Sequence, residues 1–284
     1  MVVGASRNNR GLALIYESAD LYHWNFLNVL AESRGEWGFM WECPDFYQLG
    51  DKYVLTFSPM GSGDHTSVYL TGDFDYKTGK FDWHISGEMD WGFDFYAPQT
   101  LEAPDGRRIL FGWAGVSDSP YDNEPSIREG WQHSMTVPRE LSWKGGILCQ
   151  KPVRELEALR KDEIVFEQGE AEIHGGAFDL VAERDIAGEI PVCICFNQEL
   201  QITYGHGVVS MEFLNNTGSG RTIRKAKLDG LQNVRILMDV SLMEVYFNDG
   251  ELVMTTRYYP EDPMTTKVSI SGMEQVKGWT MAGQ

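Results

Sequence analysis

One phrase occurs twice in the first hundred residues, and it restricts the fold more than any other feature. Leu12-Ala13-Leu14-Ile15-Tyr16-Glu17-Ser18 reads as a strand and runs into Asp20-Leu21-Tyr22-His23-Trp24. Ser67-Val68-Tyr69-Leu70-Thr71-Gly72-Asp73-Phe74 reads the same way and continues through Lys77-Thr78-Gly79-Lys80 to Phe81-Asp82-Trp83. Strand, acidic turn, tryptophan: units of several strands recurring at roughly 40 to 50 residues are the mark of propeller blades. Tyr53-Val54-Leu55-Thr56-Phe57-Ser58 and Arg108-Ile109-Leu110-Phe111-Gly112-Trp113 add short strands of β-branched and aromatic residues. A propeller closes with about 4 to 8 blades. Residues 1 to about 150 hold strands for about three on that period, so the ring is expected to be open. Met1-Val2-Val3-Gly4-Ala5-Ser6 is strand-like from its first residue, with no charge or proline to guard its edge. An unpaired edge of that kind predicts self-association.

Near Pro152 the pattern changes. Pro152-Val153-Arg154-Glu155-Leu156-Glu157-Ala158-Leu159-Arg160 places proline near a first turn and apolar residues at helical spacing, which predicts a connecting helix within 151–163. From 164 to 284 short alternating strands follow, among them Phe178-Asp179-Leu180-Val181, Val192-Cys193-Ile194-Cys195-Phe196 and Leu200-Gln201-Ile202-Thr203-Tyr204. The clearest hairpin is Glu244 to Met254, where Asp249-Gly250 suits a two-residue turn. Strands at this density predict a β-sandwich. The fold class is all-β: a partial, open propeller over 1–150, then a C-terminal β-sandwich.

Charge decides against several partners. A formal net charge of −18 repels a polyphosphate backbone or an anionic membrane surface, so neither nucleic acid nor membrane is expected. Cys43, Cys149, Cys193 and Cys195 show no CxxC pair and no disulfide-dense spacing, and read as reduced, mostly buried thiols, with the Cys193/Cys195 face in the core. No apolar run approaches the ~20 residues of a membrane span. His65 and His133 stand alone without metal-ligand spacing, and Gly61-Ser62-Gly63 and Gly145-Gly146 read as turns rather than phosphate loops. No metal or cofactor is implied.

The stretch with the most chemistry is Met40-Trp41-Glu42-Cys43-Pro44-Asp45. It sets one carboxyl, Glu42, among a tryptophan, a methionine, a thiol and a proline. Apolar neighbours favour the protonated form of a carboxyl, as a general acid requires. A surface glutamate beside a turn proline would look the same on spacing alone.

Longer runs carry a resemblance. WECPDFYQLGDKYVL, MDWGFDFYAPQTLEAPDGRRILFGWAG and GWQHSMTVPRELSWKGGILCQKPVRELEAL, and later VRILMDVSLMEVYFNDGELVMTTRYYP, resemble the β-fructosidases of glycoside hydrolase family 32. The bacterial invertases, which cleave sucrose or sucrose-6-phosphate, are the nearest in pattern, and the likeness covers nearly all of the chain. It implies a five-bladed propeller with the site in its central funnel, a β-sandwich behind it, and retaining cleavage of terminal β-D-fructofuranosides. Glu42 matches the family's acid/base. The family's Trp-x-Asn-Asp-Pro-Asn-Gly nucleophile motif and its Arg-Asp-Pro motif are both missing, so the resemblance starts at the third blade and no residue of this chain matches the nucleophile.

Other positions follow from the same motifs. The resemblance implies substrate contacts from Asp90, from Asp94 or Tyr96 of the Asp-Phe-Tyr-Ala segment, and from Trp113, whose face suits the C–H surface of a furanose ring. Trp41, beside the acid, either shapes the pocket or fills it. Arg139 and Glu140 match a family motif and read as a structural ion pair. Asp45 is the nearest alternative nucleophile, but three residues along a strand tends to put it on the opposite face from Glu42.

Retaining hydrolysis needs two carboxyls roughly 5 to 5.5 Å apart, so the isolated chain is expected not to turn over sucrose. Complementation by a missing N-terminal portion is one expectation. A non-catalytic carbohydrate-binding or interaction module is the alternative. Arg7, Arg10 and Arg128 are the cations available for a substrate phosphate, and the bacterial relatives and unpaired thiols point to the cytoplasm.

Overall fold

The computed structural model describes residues 1–117, 119–188 and 190–282. They form two compact units. The first takes Met1–Asp90, Phe95–Trp113 and Pro138–Leu148; the second takes Trp91–Asp94, Ala114–Val137 and the chain from Cys149 onward. A single boundary near residue 150 is therefore coarser than the structure, because 91–94 and 114–137 go with the second unit. Among the described residues no helix is long and apolar enough to cross a membrane.

The first unit is built from antiparallel sheets, the blades of a partial propeller. β1 (Val2–Arg7), β2 (Arg10–Glu17) and β3 (Asn25–Glu32) make a three-stranded sheet. β4 (Met40–Leu49), β5 (Lys52–Met60), β6 (Val68–Asp75) and β7 (Lys80–Glu88) make a four-stranded one in that order. β8 (Tyr96–Glu102), β9 (Arg108–Trp113), β10 (Arg139–Lys144) and β11 (Ile147–Pro152) make another. A core of Leu30, Trp41, Leu55, Phe57, Val68 and Phe81 joins the first two sheets. A second core, with Tyr47, Val54, Tyr69, Phe95, Leu110 and Leu141, joins the next pair.

In the two copies of the repeat, Asp20 and Asp75 do equivalent work. Asp20 organises the bend after β2 by accepting from the backbone N–H groups of Tyr22 and His23. After β6 the same work falls to Asp75, which accepts from Lys77 N and Thr78 Oγ1. Backbone donors, His23 first for Asp20 and Lys77 first for Asp75, hold both carboxyls below the usual range. Asp73 instead sits inside β6, opposite Asp82, and pairs with Lys52.

In the second unit two six-stranded sheets form the sandwich. One has the order β12 (Arg160–Glu163), β23 (Gln275–Met281), β14 (Ala177–Gly188), β19 (Leu231–Asp239), β20 (Leu242–Phe247), β21 (Leu252–Arg257). The other runs β13 (Glu170–His174), β22 (Thr265–Ser271), β15 (Val192–Phe196), β16 (Leu200–Gly205), β17 (Val208–Phe213), β18 (Ile223–Lys227). Period-two alternation sends Val192, Ile194 and Phe196 inward with Ile202, Tyr204, Met211 and Phe247. Cys193 and Cys195 therefore face outward, half-buried, rather than into the core. Cys149 is buried, and Cys43 is exposed.

Local expectations were altered in two places. The segment expected as a connecting helix forms only a 3-10 turn over Arg154–Leu159, between β11 and β12. A helix that short gains too few hydrogen bonds to offset its nucleation. The hairpin at 244–254 exists, but Phe247 pairs with Leu252, leaving a four-residue loop. Asn248, Asp249 and Gly250 all take positive φ, and a Cβ on Gly250 would lie 1.7 Å from the Gln150 carbonyl oxygen. Asn248 draws the loop further in by bonding Gln232 N and the Gly230 carbonyl.

Candidate active site

Two prolines build the site. Pro44 lies inside β4 and Pro98 inside β8, and neither can donate to a ladder, so each strand must bulge. The register shifts between Glu42 and Asp45 on β4 and between Tyr96 and Gln99 on β8. The residue before each proline, Cys43 (φ 48) or Ala97 (φ 50), takes the left-handed conformation that side chains ordinarily avoid. A bulge re-aims the side chain that precedes it. Those side chains are Glu42 and Tyr96, and Tyr96 Oη donates to Glu42 Oε2 at 2.9 Å.

The bulges are tied to each other. Gln99 Nε2 donates to the Cys43 carbonyl at 2.9 Å, and Asp45 Oδ2 accepts from Thr100 N at 2.7 Å and Thr100 Oγ1 at 2.6 Å. Ser58, directly across from Glu42 on β5, accepts from Ala97 N at 2.9 Å and bonds the buried Ser67 hydroxyl. Left-handed non-glycine residues held this firmly are strained backbone kept in place by its surroundings, which is most often found at functional sites. Burial first, and then the Glu42 charge, push the Cys43 thiol up, so it stays protonated beside the carboxyl.

Of the residues singled out in the sequence, Glu42, Tyr96 and Trp113 are brought together. Glu42 is half-buried, and Trp113 meets Tyr96 edge-on with ring centroids 6.1 Å apart. Three others are placed elsewhere. Trp41 is fully buried, stacked on Phe57 at 3.8 Å with its Nε1 donating to the Trp37 carbonyl, so it has no face to offer a sugar. Asp90 is buried in an ion pair with Arg139 at 3.1 Å, both side chains fully enclosed. Arg139 thus pairs with Asp90 and not with Glu140, which reaches Arg107 instead at 3.5 Å.

Asp94 belongs to the second unit. Its two oxygens accept from Arg221 Nε at 2.6 Å and Nη2 at 2.7 Å, and Oδ2 also accepts from Arg257 N. Three donors take three of its roughly four lone pairs, and the side chain is fully buried, so it is not presented to fructose hydroxyls. Asp45 is tied through Oδ2 to Thr100 N and Oγ1, which holds its carboxylate against β8. Among the cations considered for a phosphate, Arg7 pairs with Glu32 and Arg128 with Glu124, all at the surface, and Arg10 is exposed.

The sequence reading missed Ser58, Gln99, Thr100 and the structural role of Asp45. A signal was available: Glu42-Cys43-Pro44 and Tyr96-Ala97-Pro98 repeat one pattern of functional residue, small residue, proline.

His65 is not solitary, since its Nδ1 bonds Glu88, whose carboxyl lies opposite Val68 at the end of an apolar sheet face. Burial pushes Glu88 up to about 7, with Asp90 adding to the rise and His65 opposing it. The native state then keeps a proton that the unfolded chain releases near 4.5. More protons are bound when folded, so this group's stabilisation is complete below that value and is lost as pH rises through about 7. Glu88→Gln should leave stability at pH 5 nearly unchanged and raise it at pH 8 by on the order of 2–3 kcal/mol. Thermal melts at the two pH values measure this; parallel shifts of variant and wild type would contradict it.

Comparison with known proteins bears on this geometry. The description "Glycosyl hydrolases family 32 N-terminal domain" matches residues 1–152, and "Glycosyl hydrolases family 32 C terminal" matches 196–279. The chain is 35% identical to a sucrose-6-phosphate hydrolase of Salmonella typhimurium over 92% of its own length and 58% of the relative's. It is 34% identical to that of Bacillus subtilis, over 92% and 59%. In structure it resembles a GH32 beta-fructofuranosidase of Bombyx mori, with TM-score 0.84, 29% identity, and coverage of 99% of this chain and 62% of that one. A sucrose-6-phosphate hydrolase from Lactobacillus gasseri gives TM-score 0.80 at 25% identity, covering 99% and 63%. The chain thus spans somewhat under two thirds of the length of these proteins.

Proposed function

Because the chain belongs to glycosyl hydrolase family 32, with the family's N-terminal and C-terminal descriptions both matched, we propose that it carries the general acid/base half of a β-fructofuranosidase. Glu42 gives a proton to the glycosidic oxygen of a terminal β-D-fructofuranoside and then takes one from water. Tyr96 holds Glu42 in place, and Trp113 contributes an aromatic wall beside them. The substrate class is sucrose, its 6-phosphate or a related fructan, in keeping with the relatives' names. The four free thiols suit a reducing compartment, and the cytoplasm is the proposed location.

The observation that carries this reading is the Tyr96–Glu42 hydrogen bond between two proline-built bulges. A lone acid does not complete a retaining hydrolysis, which needs a nucleophile on the opposite side of the sugar. Asp45, Asp90 and Asp94 are each engaged elsewhere. The attacking carboxylate is therefore proposed to come from outside the described residues, on a strand added at the free edge of β1. In the β1–β2 pairing Met1 and Tyr16 exchange backbone bonds, which leaves the N–H and C=O groups of Val2, Gly4 and Ser6 facing that edge.

A mixing experiment tests the proposal. The pure chain should release no fructose from sucrose or sucrose-6-phosphate above background. Added to the separately produced N-terminal portion of the Bacillus subtilis relative, it should gain activity that Glu42→Gln removes. Turnover by the chain alone at rates ordinary for enzymes, about 1–10³ per second, would overturn it.

A further inference from the structure

The sandwich carries a cleft that the proposed chemistry does not use. It is half-open, holds about 910 Å³, and lies in the second unit over the outward face of β13, β22 and β15. That volume is in the range of small-molecule sites, roughly 300–1,000 Å³. Its floor is a hydrogen-bonded ladder in which Glu170 faces Ser269, Ser269 faces Cys195, and Glu172 faces Lys267. A sheet face holds such groups at fixed spacings better than a loop does.

Two turns form the lips. At one, Glu167 and Glu170 exchange backbone bonds around Gln168 (φ 53); at the other, Asn197 (φ 53) and Gln198 (φ 59) both take the left-handed conformation. Each lip presents one exposed glutamine to the cleft. Asn197 is already used, giving to Tyr258 and accepting from Lys267 N, and so it fixes its turn.

The lining chooses among ligand classes. Three glutamates face one lysine, in a chain of net charge −18, which opposes phosphorylated or carboxylated ligands. An apolar ligand would strip water from those charges with nothing to replace it. What fits is a neutral molecule rich in hydroxyls. Each hydroxyl can give to a glutamate while accepting from the lysine, a glutamine amide or Ser269, and the exposed Val165 supplies a small apolar surface for C–H groups. We propose that the outer face of the sandwich binds a neutral oligosaccharide at this cleft, as a site separate from Glu42.

Calorimetric titration of the full chain with 1-kestose tests this, with glucose 6-phosphate as the anionic comparison. Saturable binding of 1-kestose is expected, weakened at least tenfold by Lys267→Ala and by Gln198→Ala. Both altered side chains are exposed, so unchanged melting curves would certify that the variants fold. Absence of saturable binding, wild-type binding by both cleft variants, or tighter binding of the phosphate ester would each overturn the assignment. The proposed hydrolytic role is untouched by any of these outcomes, since it is read from fructose release in the mixed enzyme.

Discussion

Asp94→Ala is expected to cost the second unit about 3–5 kcal/mol, the usual range for removing one partner of a buried ion pair. Both side chains of the Asp94–Arg221 pair are about 1% exposed. Without the carboxylate, the Arg221 guanidinium would keep the carbonyls of Asp122 and Gly218, the Asn123 amide oxygen and the Tyr121 ring face, and its charge would be left without a counter-ion in an enclosed site. Arg257 N would lose its acceptor as well. Replacing both members, as in Asp94→Asn with Arg221→Met, should recover part of the loss, because the desolvated charge is then gone. Urea denaturation measures the difference. A sugar-contacting aspartate would behave otherwise: stability within about 1 kcal/mol of wild type, with the defect confined to ligand binding, would restore the reading made from the family motif.

Asp94 also shows where the sequence stops being legible. Asp-Phe-Tyr-Ala gives two polar side chains two residues apart, and on a continuous strand both would share a face. The chain instead changes unit between Asp94 and Phe95, so Asp94 turns to Arg221, more than a hundred residues further on, while Tyr96 turns to Glu42. No local pattern encodes a partner at that separation. Trp41 failed for a different reason. Adjacent residues on a strand point to opposite faces, so a carboxyl facing the site sends its neighbour into the core. That inference was available from spacing alone.

The fold was more open to reading because it rests on short-range rules. Alternation in Val192 to Phe196 and in Leu200 to Tyr204 sets which face is buried, and the strand-turn-tryptophan unit sets the blade. Turn details were less legible. Asp249-Gly250 favours a tight turn locally, yet the contact with Gln150 and the bonds of Asn248 draw it into a wider loop. The proline bulges lie between these cases, since Pro44 and Pro98 announce an interrupted ladder in the sequence but not which side chain the interruption re-aims.

In the enzyme assembled with a relative's N-terminal portion, Glu42→Gln is expected to lower kcat by about 10²–10⁴, the span usual for a lost general acid/base. The amide keeps the size of the side chain and can still accept from Tyr96, so substrate affinity should change little and the loss should fall on kcat. Tyr96→Phe gives a smaller, separable effect. It removes the 2.9 Å bond to Oε2 while the ring stays against Trp113. A hydrogen bond to a charged group contributes about 1.5–3 kcal/mol, so a tenfold to hundredfold fall in kcat is expected, with KM nearly constant. In the double variant Tyr96→Phe with Glu42→Gln the tyrosine should add almost nothing, because a residue that acts by holding the acid has no work once the acid is gone. Additive losses in that cycle would mean that Tyr96 touches the sugar in its own right, and a Glu42→Gln enzyme within tenfold of wild type would remove Glu42 from the chemistry.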